Sequence, residues 1–346
     1  MRKCLVSLML ALGLLTTVSA PAVAAERPKL VVMCFGGAYQ NFFETELIPE
    51  FSKANDVDIV LAIGLAKDWM AEMRASGKDK APYDVLMFNE IWSAQMRREG
   101  YMLPLTPAMI PNLDNAMMQV KDPTNGDVLG VIGVIQPAGL GYRTDLLPNP
   151  PKSWKDLWNP EYKGQVGLYT LTNSLGAMTV LSVGKVWFGD EHKYDEAIDK
   201  IAELKPFKQT DFSGDMEKLL SLGEISVGVI DMPAVARLRQ QGLPLGWVEP
   251  EEHMVMFEQV FSIHKASKYP DLAAKWIDYI LTPEVQEKFT KRFFTTPAIK
   301  GGTVPDELKT EVLGPEAVSR IASWDWNAFN DAKARLIRVW NQKINR

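Results

Sequence analysis

Ser153-Trp-Lys-Asp-Leu-Trp-Asn-Pro-Glu-Tyr-Lys-Gly164 stands near the middle of the chain, and its reading decides the fold. Ser153 is a good helix N-cap, Trp154, Leu157 and Trp158 fall on one helical face, and Asn159-Pro160 ends the turn. A Pro-rich connector, Leu146 to Lys152, leads into it, and a strand-like run, Gln165-Val-Gly-Leu-Tyr169, follows. By residue chemistry alone the segment is packing, a short amphipathic helix set between two strands.

Working outward toward the N-terminus, β-prone runs alternate with helical ones. Strands are expected at Leu30–Phe35, Val57–Ile63 and Tyr83–Phe88, each followed by a helix, at about 41–54, 68–76 and 91–99. That alternation argues a parallel sheet with crossovers, in which ligands collect beyond the carboxyl ends of the strands. The rule nominates Phe35-Gly-Gly-Ala-Tyr39, Gly64-Leu-Ala-Lys67 and Asn89-Glu-Ile-Trp92, although Gly36-Gly37 serves a tight turn equally well. Toward the C-terminus, strands are expected at 166–169, 225–230 and 257–263. Helices are expected near 174–187, 194–204, 214–222, 234–241, 270–281 and 283–291, and a long amphipathic one over 327–344 docks on the outside.

Arg2 and Lys3 precede an apolar run, Cys4–Val18, that is too short to span a bilayer and ends in Ala22-Val-Ala-Ala25. This is the layout of a cleaved secretory leader, residues 1–25, and implies an exported protein. The formal charge of the whole chain is −5, and loss of Arg2 and Lys3 takes the mature protein to −7. An acidic exported chain is not built to hold nucleic acid or an anionic membrane. One cysteine remains, Cys34, inside an apolar run, and reads as a small buried hydrophobe. About 320 mature residues exceed the usual single-core size, so two lobes are expected.

The string SWKDLWNPEYKG resembles the segment with which periplasmic solute-binding proteins of the spermidine/putrescine and iron type enter their second lobe. The resemblance implies an α/β, two-lobed periplasmic-binding-protein-like fold (type II). Each lobe would be a mixed, mostly parallel sheet flanked by helices, joined to the other by two hinge crossovers. Lobe 1 would comprise residues 26–143 and 256–346, and lobe 2 residues 144–255. The Pro/Gly-punctuated stretch Val128–Arg143, with strand-like pieces broken at Gln136-Pro137, suits the hinge.

No Gly-x-Ser-x-Gly elbow, Walker loop or His-Glu-x-x-His is present, and His192, His253 and His264 are isolated and read as surface or capping residues. An iron-binding relative would carry neighbouring tyrosines; none of the nine here are adjacent. No catalytic residue, metal or cofactor is therefore assigned. Three places carry the resemblance to a binding site. Asn89, Glu90 and Trp92 match the polar-plus-aromatic strand end of the family. Asp231, closing Val227-Gly-Val-Ile230, either caps the next helix or meets a ligand ammonium. The turn Tyr169-Thr-Leu-Thr-Asn-Ser174 offers Thr170, Asn173 and Ser174, neutral groups at a helix N-terminus, where polyamine-binding relatives place acids. Those groups either cap the helix or hold an anion. Gly37, Tyr39 and Tyr169 are further candidate contacts, and Lys208 a candidate anion contact.

The expectation is a monomeric periplasmic component of an ABC uptake system that closes on a small amine-containing solute and docks on a membrane permease. Asp231 for an amine and the 170–174 turn for an acid suit a zwitterion such as 4-aminobutyrate. The alternatives are a polyamine such as putrescine or spermidine and, from another class, a secreted two-lobed hydrolase or transferase.

Overall fold

The computed structural model describes residues 26–345, so the expected leader lies outside the described residues. In the first half, β1 (Lys29–Cys34), α1 (Ala38–Phe42), α2 (Ile48–Asn55), β2 (Asp58–Ile63), α3 (Ala66–Ser76), β3 (Val85–Phe88) and α4 (Glu90–Arg98) alternate as expected. The helix anticipated over 41–54 is split by a π-helical turn, Phe43–Leu47, between α1 and α2. Pro49, near the start of α2, has no N–H for the ladder that an unbroken α-helix would need. Cys34 is fully buried at the end of β1, and burial pushes its thiol up to about 12.

β4 (Gln119–Lys121) and β5 (Val128–Arg143) follow, then Trp154–Trp158 as a 3-10 helix. Ser153 caps that helix in a full capping box with Asp156, and Trp154 and Leu157 are buried. Beyond it come β6 (Val166–Tyr169), α5 (Ser174–Phe188), α6 (Tyr194–Ala202), β7 (Lys208–Thr210), α7 (Ser213–Ser221), β8 (Val227–Asp231), α8 (Met232–Gln240) and β9 (Leu245–Val248). The chain closes with β10 (Val255–Ile263), α9 (Pro270–Ile280), α10 (Pro283–Phe293) and α11 (Trp326–Lys343).

Among the described residues the strands join in one ten-stranded sheet, ordered β2-β1-β3-β10-β5-β8-β6-β7, with β4 and β9 also paired to β5. β1, β2 and β3 run parallel, as do β6, β7 and β8, whereas β5 and β10 run against their neighbours. The expected break at Gln136-Pro137 is absent: β5 is a single 16-residue strand. It tolerates Pro137 because its partners change there, so that Ala138 pairs with Val255 of β10 on one side and Asp231 of β8 on the other.

Two large apolar cores flank this handover. One gathers β1–β3 with α9 and α10, around Phe42, Phe43, Trp276 and Phe289. The other gathers β6, β8, α5 and α6, around Trp154, Leu168 and Leu181. The C-terminal helix, α11, buries Trp326, Phe329, Leu336 and Trp340 into the second core. Its polar side reaches α4, where Asn330 Nδ2 donates to the carbonyl of Ile91 (2.9 Å) and Arg98 pairs with Asp331 (2.7 Å). An amphipathic helix buries its apolar stripe wherever a matching face is open, and that face is on α6. No helix among the described residues is long and apolar enough to cross a membrane.

Candidate functional site

A cavity of about 550 Å³ opens between the two cores, at the carboxyl ends of the strands. From the first core come Phe35, the Leu65-Ala66-Lys67 turn, Asn89 and Trp92. From the second come Thr172, Asn173 and Ser174, together with Asp211, Phe212, Ser213 and Gly214, while Phe257 of β10 forms part of the wall. Four helices thus present their N-termini to one space: α3, α4, α5 and α7. Neither α3 nor α7 has a side-chain cap, and Asn89 at the head of α4 turns its amide away to the Glu258 carbonyl (2.5 Å). Unfilled N–H groups of α3 and α7 therefore point into the cavity, with the positive dipole ends of all four helices. First-turn acids, Asp68, Glu90 and Asp215, offset three of these dipoles; α5 has none.

Charge is balanced across the gap. Lys67 is exposed and has no ion pair among the described residues. Opposite it, the Asp211 carboxylate receives the Thr170 hydroxyl and the Thr172 hydroxyl (2.7 Å), and the Asn173 amide donates to the Asp211 carbonyl (3.0 Å). Asp211 itself stays exposed. Asn173 Oδ1 caps α5 by accepting from Leu175 N–H (2.9 Å). Ser174 is 8% exposed, and its hydroxyl has no hydrogen-bond partner among the described residues.

Of the eleven candidate residues, four meet in this cavity: Asn89, Trp92, Asn173 and Ser174. The structure places the others outside it. Gly37, at φ 73, makes the turn into α1, and Tyr39 stacks on Phe293 at 4.7 Å with its hydroxyl on Gln136 Oε1 (3.4 Å). Glu90 is turned to the far side of the sheet, bound to Arg97 (2.8 Å) in a separate cavity of about 180 Å³ with Glu258 and Trp324. Tyr169 is fully buried, edge-on to Phe257. Thr170 lines an outer depression beside Gln209 and Lys218, and Lys208, at the amino end of β7, pairs with Glu224 (3.6 Å). Asp231 is 3% exposed and caps α8 by accepting from Ala234 N–H (2.9 Å). Burial pushes its carboxyl up to about 6 against the opposing pull of Arg237. Its charge in turn helps to hold the Tyr39 and Tyr169 phenols above their usual range, after burial itself.

His264 is fully buried, with Nδ1 capping the Ala266 N–H (3.1 Å), and His253 lies partly buried between Trp154 and Trp324, where burial drives it down to about 4. Asp211 is not among the residues the sequence nominates, although Thr210-Asp211-Phe212 ends a short strand just ahead of a helix, the setting that the carboxyl-end rule selects.

Two lobes on a shared sheet, with an open cavity between facing helix N-termini, define a clamshell that captures a small solute. The family model for bacterial extracellular solute-binding proteins matches residues 80–326, and the chain belongs to that family, whose members serve as substrate-binding components of ABC transporters. The chain is 23% identical over 310 residues to the spermidine/putrescine-binding periplasmic protein of Escherichia coli, covering 86% of this chain and 87% of that one. It superposes on an ABC transporter structure from Clostridium perfringens with a TM-score of 0.77, at 24% identity, over 91% of this chain and 100% of that one. A periplasmic binding protein from Actinobacillus pleuropneumoniae, solved with fructose-6-phosphate, gives a TM-score of 0.70 at 22% identity, over 92% and 99%.

Proposed function

We propose that this chain captures a small zwitterion in the periplasm, with 4-aminobutyrate or an aminophosphonate as the concrete candidates, and presents it to the permease of an ABC uptake system. The observation that carries the reading is the pair of opposite charges across the cavity, Lys67 on one lobe and Asp211 on the other. A solute with an anionic and a cationic end satisfies both walls at once, and only when the lobes meet. An unmatched charge enclosed in that cleft is expensive, so both ends contribute to selectivity. The first N–H groups of α3 support the anion beside Lys67, Thr170 and Thr172 orient Asp211 for the ammonium, and Trp92 and Phe257 cover the aliphatic body. The lobes divide at 143/144 and 255/256, with α11 seated on the second, and rotate about β5 and β10. A leader cleaved near residue 25 delivers the monomer, and no reaction is catalysed.

Polyamine capture is the second reading, favoured by the name of the Escherichia coli relative. The fold does not choose between them. Calorimetric titration with 4-aminobutyrate, 2-aminoethylphosphonate, putrescine and spermidine does. Saturable binding of a zwitterion is the expected result; tight binding of putrescine or spermidine with no response to either zwitterion would sink the assignment.

A further inference from the structure

Lys333, on α11, sets its ammonium 3.8 Å from the centroid of the Trp92 indole. Its Nζ is buried and has no hydrogen-bond partner among the described residues. No carboxylate pairs with it among the described residues; Asp331, two positions before it on α11, is paired with Arg98. Lys333 is also held in place: Gln95 Nε2 donates to Asn330 Oδ1 (3.0 Å), and Asn330 in turn bonds Ile91, fixing α11 against the helix that carries Trp92. A buried ammonium without a counter-ion is costly to keep. Burial lowers its pKa to about 8, which still leaves it mostly charged at neutral pH.

Trp92 lines the solute cavity and Lys333 does not, and from this we infer that the ammonium backs the indole on the side away from the cavity. A cation on one face draws the π-density toward itself and leaves less for a second cation on the other. The same charge acts through the ring on whatever stacks there. We propose that Lys333 is a specificity-determining residue: by occupying the rear face of Trp92 it turns that wall of the cleft against a solute ammonium and toward an anionic group. This rests on the reading of the cavity as the solute site, and it assigns the anionic end to Lys67, beside the Trp92 ring.

The test compares two probes that differ mainly at one end, 4-aminobutyrate and putrescine, by calorimetry on the mature protein. K333M keeps a long apolar stem on α11 and removes an unpaired buried charge, a change that does not threaten folding; K333R retains the charge. In K333M the affinity for putrescine relative to 4-aminobutyrate should rise about tenfold, and in K333R it should stay within about threefold of the unaltered protein. A ratio moved by less than about twofold in K333M, or moved toward 4-aminobutyrate, overturns the proposal. A wild-type protein that prefers putrescine defeats the zwitterion reading, while the role of Lys333 is still read from the change in ratio. Should the wild type bind neither probe, new putrescine binding in K333M sustains the role and continued silence overturns it.

Discussion

Glu258→Gln should stabilise the protein by an amount that grows with pH. Glu258 lies on β10 between Phe257, which faces the cavity, and Gln259, and it is completely buried. Its Oε1 accepts from the Glu90 N–H (2.6 Å), and its Oε2 has no partner among the described residues. Burial drives its carboxyl up to about 8 from an ordinary 4.5. The folded protein therefore holds a proton there that the unfolded chain has released, and folding takes one up wherever the pH lies between those values. Stability from this group is complete below the lower value and is lost as pH rises toward the higher one. At pH 7 the solution stands two and a half units above 4.5, and at 1.36 kcal/mol per unit the loss is about 3 kcal/mol. Above pH 8 it levels off at about 5 kcal/mol. Glutamine has the shape of the protonated acid, keeps an oxygen for the Glu90 N–H and does not titrate. Any difference in packing is independent of pH, so the slope is the diagnostic quantity. Equilibrium urea unfolding, followed by tryptophan fluorescence at about pH 5, 6, 7 and 8, should show the gap between variant and wild type widening by about 3 kcal/mol or more. A gap that changes by less than about 1 kcal/mol over that range would refute a protonated Glu258.

Asp211→Asn should weaken 4-aminobutyrate binding by about tenfold or more, because the amide keeps the threonine contacts and loses the charge; unchanged affinity in calorimetry removes Asp211 from the site. Asp231→Asn should leave that affinity within about threefold, since asparagine also caps α8. The same change should abolish a loss of stability as pH rises from 3.8 to about 6, worth about 3 kcal/mol. Complete loss of binding in this variant would restore Asp231 as a direct contact. Gly176→Ala drives a Cβ into the Thr170 carbonyl oxygen, and the backbone must shift to admit it, at a cost of about 1–3 kcal/mol; an unaltered melting temperature would show that the N-terminus of α5 is not tightly seated.

The strand–helix alternation of the first half was legible because each element carries its own period and punctuation, and β6 at Val166–Tyr169 and the start of α5 at Ser174 fall where the sequence places them. The Ser153 cap was legible for the same reason: the serine, Asp156 and the buried Trp154 lie within one turn. Asn89 and Trp92 could be chosen because the carboxyl-end rule depends only on where a strand stops. Glu90 could not be separated from them by that rule. It shares their loop, but the helix that begins there points it to the other face of the sheet, toward Arg97. Thr170 and Asp211 show the same limit: forty-one positions apart in sequence, they meet only because β6 and β7 pair side by side.

By itself the sequence settled everything governed by short-range periodicity and by one residue acting on its neighbours: the alternating elements, their caps, the need for two cores and the turns at strand ends. The tertiary structure alone decided which of those turns face one another, that β5 runs unbroken between the halves, that α11 lies on the second core, and that Lys333 backs Trp92. Those outcomes turn on contacts between residues far apart in the chain, whose energies are set by burial and pairing that no local pattern encodes.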